Sequence, residues 1–253
     1  MVRDNRKHVR CWVVGVLTAG ELHVRYRRTD RLDELALASA VALLSSDERA
    51  RHERIRTKSD RDEYAIAHAL LRSALSEFGD RRPEAWRFAD GPFGKPALTD
   101  PVSSLSFNLT HARGLVACAV AASADVGLDV EAITRATNWR GIASRYFSSA
   151  EREEIDRLEP ARQAARFFEL WTLKEAFVKA LGVGLSQPLS AITFSAERPE
   201  AVGFAPPNGV DAAVWQFGSF APTPAHRLAV AVSDGTRRRW RITMCEAAQA
   251  RGL

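Results

Sequence analysis

Cysteine and long apolar runs are both scarce in this sequence, and each shortage narrows what the chain can be. The three cysteines, Cys11, Cys118 and Cys245, are far apart, odd in number and form no CxxC pair. That pattern argues against both a disulfide framework and a zinc site. A reducing, cytoplasmic setting is expected. No apolar run approaches the ~18 residues a membrane span needs, so no membrane contact is expected either. The opening MVRDNRKHVR followed by CWVVGVLTAG has the basic-then-apolar order of a leader. The apolar pattern continues past Gly20 through Leu22, Val24 and Tyr26 at alternate positions, so the segment reads as strand.

What is present is enough for a folded core. With 253 residues and 46% apolar side chains, the chain can form one large domain or two packed lobes. Lysine and arginine number 36 against 31 acids, a net charge of +5 that suits a polyanion, a phosphorylated ligand or an acidic partner.

A pass along the chain finds a repeat. SSDERARHERIRTKSDRDEYAIAHALLRSAL from Ser45 and SSAEREEIDRLEPARQAARFFELWTLKEAFVKAL from Ser148 each open on a Ser-Ser cap, run through a charged helix and close on an apolar one. Ser148 and Glu151 match a capping box, and Phe167, Leu170, Trp171, Phe177, Val178 and Leu181 recur at helical spacing, as do Tyr64, Ala67, Leu70 and Leu71. Strand-like runs flank these helices at Trp12 to Val16, Leu22 to Tyr26, Leu115 to Ala121, Val126 to Glu131, Leu228 to Val232 and Arg239 to Met244. Pro199 to Pro224 reads as loops around one or two short strands. The expected class is α+β, with a lobe over residues 1–110 and a second over 111–253. Aligning the ends of the two apolar helices sets Glu175 opposite Ala69 and Lys179 opposite Ser73. Chemistry carried by one copy alone needs a reason other than packing.

VGLDVEAI, from Val126, contains such chemistry. Strand alternation sends Val126, Leu128 and Val130 to one side and Gly127, Asp129 and Glu131 to the other. Two close carboxylates repel, and a divalent cation relieves the repulsion; oxygen-only ligands suit Mg²⁺. The plain alternative is an edge strand with a wet outer face. Trp171, Glu175 and Lys179 step by four along one helix stripe, which is either an ordinary surface ion pair or, given the aromatics beside it, a stripe facing protein. GPFGKPAL places Lys95 on a tight turn, and FNLTH ends a strand on Thr110 and His111. Pro96 after the lysine rules out a Walker A loop. Taken alone, Lys95 is equally a solvated turn residue and His111 a hydrogen-bonded strand-end histidine. The basic run Arg49, Arg51, His52, Arg54, Arg56, Lys58 taken alone reads as a solvated helix face.

Together GKPAL, FNLTH, GLDVE and WTLKEAFVKALGVGLS, in this order and at these separations, resemble the 4′-phosphopantetheinyl transferases, in particular the larger monomeric Sfp-like branch typified by the activator of surfactin synthetase. The likeness runs from about Ser45 to Leu189. It implies Mg²⁺-dependent transfer of phosphopantetheine from coenzyme A to a carrier-protein serine, with release of adenosine 3′,5′-bisphosphate. Asp129, Glu131 and Glu175 are implied as the metal ligands. Glu175 is implied as the base, directly or through a water, and Lys179 as a fixed charge at the pyrophosphate. Thr110 and His111 are implied at the coenzyme A phosphates, Lys95 at the nucleotide end, and one or two of Arg49, Arg51 and His52 at the 3′-phosphate. Thr110 stands where serine is usual, which preserves the hydroxyl. His68 stands near where a basic residue is common, so one phosphate contact is expected to be weakened or pH-dependent.

The resemblance further implies a monomeric pseudodimer of two similar lobes, each a small antiparallel sheet packed with helices, with the active site in the cleft between them. An acidic acyl or peptidyl carrier is the expected partner. Two rivals stand beside this. Another Mg²⁺-dependent phosphoryl-transfer enzyme would use the same acids without a carrier. A basic nucleic-acid-binding module would need aromatics among its basic residues, and the first basic run has none before Tyr64, so no nucleic acid is expected.

Overall fold

The computed structural model describes residues 17–30, 32–91, 94–99, 103–133, 138–182, 188–198 and 201–247. The expected strand at Trp12 to Val16, Cys11, Pro92 and Phe93 of GPFGKPAL, and Val183 to Ser186 of the last motif lie outside the described residues.

The described chain runs β1 (Glu21–Arg28), α1 (Glu34–Leu43), α2 (Ser46–Arg54), α3 (Lys58–Phe78), β2 (Phe88–Asp90), β3 (Pro96–Leu98), β4 (Leu105–Ala112), β5 (Leu115–Ala122) and β6 (Asp125–Ala132). It continues through α4 (Trp139–Tyr146), α5 (Ser149–Asp156), α6 (Pro160–Leu181), β7 (Thr193–Arg198), β8 (Ala201–Ala205), β9 (Gln216–Phe220), β10 (His226–Ser233) and β11 (Arg241–Glu246). One sheet has the order β11-β1-β5-β4 and a second β6-β10-β9; β2 with β3 and β7 with β8 form two hairpins.

The apolar runs are continuous because the two larger sheets lie between two long helices and are covered on both faces. On β5, Leu115, Ala117, Ala119 and Ala121 face inward to meet Val126, Leu128 and Val130 of β6 and Leu228, Val230 and Val232 of β10. The alternate residues Val116, Cys118 and Val120 face α3. On the other side, Ala229 and Ala231 of β10 face the α6 layer, where Phe167, Leu170, Leu173 and Phe177 are all buried. Each such leucine or phenylalanine contributes roughly 1.5–3 kcal/mol, more than the ~1 kcal/mol of a helix cap. Packing therefore decides where the helices lie, and caps decide where they begin and end. Pro160 occupies the first turn of α6, and Gly182 closes it in the left-handed region at φ 67°.

The repeat is visible in the chemistry of its caps. Both α2 and α5 begin with a complete capping box, Ser45 with Glu48 and Ser148 with Glu151. In each, the buried glutamate also reaches the following long helix. Glu48 bonds His68 at 2.8 Å and Arg72 at 2.7 Å; Glu151 bonds Lys174 at 2.9 Å. Burial opposes ionisation of Glu48, but hydrogen bonds from His68 and the Ser45 amide, with the charges of His68 and Arg72, bring its pKa down to about 2. His68 is therefore engaged by a glutamate.

One feature differs from the expected architecture. The first sheet is not wholly antiparallel, because β11 runs parallel to β1. After β10 the chain returns past buried Trp240 to the edge of the first sheet, where the Arg241 backbone amide donates to Gly20 O at 2.8 Å. Residue 110 lies within β4, and β5, which follows it, sits between β1 and β4.

Glu151 and Lys174 are fully buried. The ammonium donates to Leu189 O at 2.8 Å and Ile192 O at 2.6 Å besides Glu151, while Glu151 also accepts from the Phe194 amide at 2.9 Å. Removing one partner alone strands a charge. Glu151→Ala should lower unfolding free energy by about 3–5 kcal/mol in urea titrations, and adding Lys174→Met should recover part of it. A single-variant loss below about 1 kcal/mol would show the pair to be inert.

Candidate active site

The site begins at a glycine. A β-carbon on Gly127 would fall 1.9 Å from Ala176 O and 2.4 Å from Ala180 N, so α6 rests directly on the backbone of β6. No larger side chain fits between them. Two residues on, Asp129 emerges on the same face, beneath the last turns of α6. It is 5% exposed, and its Oδ1 accepts from Lys179 Nζ at 2.6 Å. Of the two readings of the Glu175–Lys179 stripe, an ordinary surface ion pair or a stripe facing protein, the second fits: Lys179 pairs from helix to strand.

Strand β4 completes the wall. Asn108 Oδ1 accepts from the Leu128 amide at 3.0 Å, so a side chain joins β4 to β6 where no ladder does. Thr110, on the same face of β4, places its hydroxyl 3.4 Å from Lys179 Nζ. Asp129 Oδ2 is buried and has no hydrogen-bond partner.

Charge balance follows from this geometry. Burial raises the Asp129 pKa, and Lys179 offsets that only in part. Burial acts to lower Lys179, but Asp129, reinforced by Glu175 and Glu131, holds it above its ordinary value. Glu175, half-buried, is pushed up to about 7 by burial first and then by Asp129, with Lys179 opposing and Glu131 adding. Three carboxylates thus act on one another around one ammonium. The orphaned Asp129 oxygen and the all-oxygen donor set fit a hard divalent cation. Among the described residues, no three acidic, histidine or cysteine side chains are already gathered closely enough to hold a metal ion.

Residues 125–233, which include this strand and helix, match the 4′-phosphopantetheinyl transferase superfamily. The 4′-phosphopantetheinyl transferase HetI of Nostoc sp. is 33% identical over 173 residues, 68% of this chain and 73% of that protein. The chain belongs to the 4′-phosphopantetheinyl transferases. A putative 4′-phosphopantetheinyl transferase of Synechocystis sp. is 33% identical over 60% of this transferase, and that match spans 62% of the relative's length. The crystal structure of a Bacillus anthracis holo-(acyl-carrier-protein) synthase in complex with CoA aligns over 44% of the transferase and 96% of that chain, at 16% identity and a TM-score of 0.38.

The remaining expected site residues are dispersed. His111 is exposed and, by strand alternation, on the opposite face of β4 from Thr110. Arg49 caps α1, donating to Ala42 O at 2.8 Å and Leu44 O at 3.2 Å. Arg51 lies 5.9 Å over the Tyr64 ring, and the His52 ring is 6.4 Å from it. Lys95 Nζ donates to Val126 O at 3.1 Å and Ala180 O at 3.0 Å. Trp171 stacks on Phe167 and Phe147, so the Trp171 end of the stripe does face protein. Sequence reasoning missed Asn108 and the role of Gly127. It also passed over Lys174, whose signal was a lysine set among residues of apolar helical spacing.

The raised Glu175 carboxyl makes the metal-free transferase pH-sensitive. Its folded pKa of about 7 exceeds the ordinary 4.5, so between those values the folded state binds more protons and stability falls as pH rises. Urea midpoints in chelator should decline across that window, and less steeply in Glu175→Gln. Equal slopes in the two proteins would refute the assignment.

Proposed function

We propose that this transferase moves the 4′-phosphopantetheine arm of coenzyme A onto a serine hydroxyl of an acyl or peptidyl carrier protein and releases adenosine 3′,5′-bisphosphate. One observation carries the reading: in a chain of this family, Asp129 of β6 meets Lys179 of α6 beside a Glu175 carboxyl of raised pKa.

Asp129, Glu131 and Glu175 hold Mg²⁺ in this reading, with the unpartnered Asp129 Oδ2 as the strongest support. Bound Mg²⁺ supplies charge neutralisation at the pyrophosphate oxygens. Glu175 accepts the proton of the carrier serine, directly or through a water. The serine oxygen bonds to the phosphorus attached to the pantetheine arm as the bond from that phosphorus to the leaving bisphosphate breaks. Lys179 and Thr110, adjacent to each other, donate to phosphate oxygens and stabilise the charge gathering on the leaving group.

His111 serves the coenzyme A phosphates and Arg49 with His52 the 3′-phosphate. These contacts require Arg49 to exchange its helix-capping bonds for ligand oxygens. The paired capping boxes and the two helix-covered sheets support a monomeric pseudodimer with coenzyme A in the cleft between lobes. The net charge of +5 supports an acidic carrier as partner. Among the described residues no helix is long and apolar enough to cross a membrane, and Cys118 and Cys245 are free thiols, in keeping with work in the cytoplasm.

Mass spectrometry of an apo carrier incubated with the protein, coenzyme A and Mg²⁺ should show the gain of one phosphopantetheine. Asp129→Asn and Glu175→Gln should each cut kcat by about 10²–10⁴-fold with the fold retained by circular dichroism. Hydrolysis of coenzyme A with no mass gain on any carrier would instead mark a nucleotide phosphohydrolase.

A further inference from the structure

Lys95 is not a free turn lysine. Its half-buried ammonium bonds two backbone carbonyls from elements far apart in sequence, Val126 O at the start of β6 and Ala180 O in the last turn of α6. Val126 precedes Asp129 by three residues and Ala180 follows Lys179 directly, so one cation spans the two elements whose side chains form the central ion pair. The last carbonyls of a helix have no partner within it, and a lysine there satisfies one while complementing the helix dipole. The Lys95 stem lies against Gly182, whose left-handed φ of 67° closes the helix; a β-carbon there would meet Lys95 Cδ at an ordinary 3.6 Å.

We infer that Lys95 is a positioning residue for the transfer reaction, tying the end of α6 to the start of β6 and so holding Lys179 against Asp129, rather than a contact to the nucleotide. The inference rests on the transfer reading above. Misplacing a charge by an ångström is enough to cost a large factor in rate.

Three measurements on Lys95→Met test it: kcat and the KM for coenzyme A with an apo carrier, calorimetric affinity for adenosine 3′,5′-bisphosphate, and amide exchange at Gly182, whose N–H bonds Val178 O at 3.0 Å. The expected result is a kcat lower by about tenfold or more, KM and bisphosphate affinity within about twofold, and faster exchange at Gly182, with Lys95→Arg restoring most of the rate. An unchanged kcat with KM raised about tenfold would assign Lys95 to the nucleotide and overturn the inference. No change in any of the three would overturn it as well. Should Lys95→Met not fold, Gly182→Ala, which strains the same turn without touching the ammonium, decides: reduced kcat at unchanged affinity supports the inference and wild-type kcat rejects it. If the wild-type protein modifies no carrier, the transfer reading fails separately, and exchange at Gly182 in Lys95→Met still reads the tie.

Discussion

The close approach of α6 to β6 at Gly127 is the constraint on which the site depends. A helix normally stands off a sheet by the depth of the side chains between them. Here Ala176 O and Ala180 N come within 1.9 and 2.4 Å of where a β-carbon would lie, so the helix backbone rests on the strand backbone. That contact brings Lys179 within a hydrogen bond of Asp129, and it buries the second Asp129 oxygen without a hydrogen-bond partner. Burial then raises the carboxyl pKa values of Asp129 and Glu175. A separation only a side chain larger would let water in and return both acids toward ordinary behaviour.

The rest of the fold holds that contact in place. Outward from it, the Lys174–Glu151 pair pins the middle of α6 to α5 and to the start of β7, and the aromatic stack of Phe147, Phe167 and Trp171 secures its earlier turns. The first repeat solves the same problem with different chemistry. In the alignment that sets Glu175 opposite Ala69, Lys174 stands opposite His68, and both reach the glutamate of a capping box, at 2.9 and 2.8 Å. Arg72 adds a second donor in the first repeat alone. The clamp therefore persists in both halves, whereas the acids and Lys179 occur in one. Packing and chemistry have been separated between neighbouring positions of one helix, Lys174 for the former and Glu175 for the latter.

Much of this was legible from local pattern. Alternation in VGLDVEAI assigned Asp129 and Glu131 to one face and the valines to the other, and the valines do enter the core between the sheets. Ser148 with Glu151 announced a helix start, and the helical spacing from Phe167 to Leu181 announced α6. Less legible was what each polar group would bond. Glu175 and Lys179 are four apart, which leaves an ordinary ion pair along the helix and a stripe facing protein both open; Lys179 in fact turns to a strand fifty residues earlier in the chain, where the buried Asp129 carboxylate meets it.

The sequence by itself determined the periodicities, the caps, the repeat and the identity of the acids, because each depends on residues within a few turns of one another. Only the tertiary structure decided that β11 joins β1 in parallel, that Lys179 meets Asp129, and that Lys95 bridges two backbones. Those outcomes depend on which surfaces meet once water is expelled, and segments remote along the chain compete for the same few buried donors and acceptors.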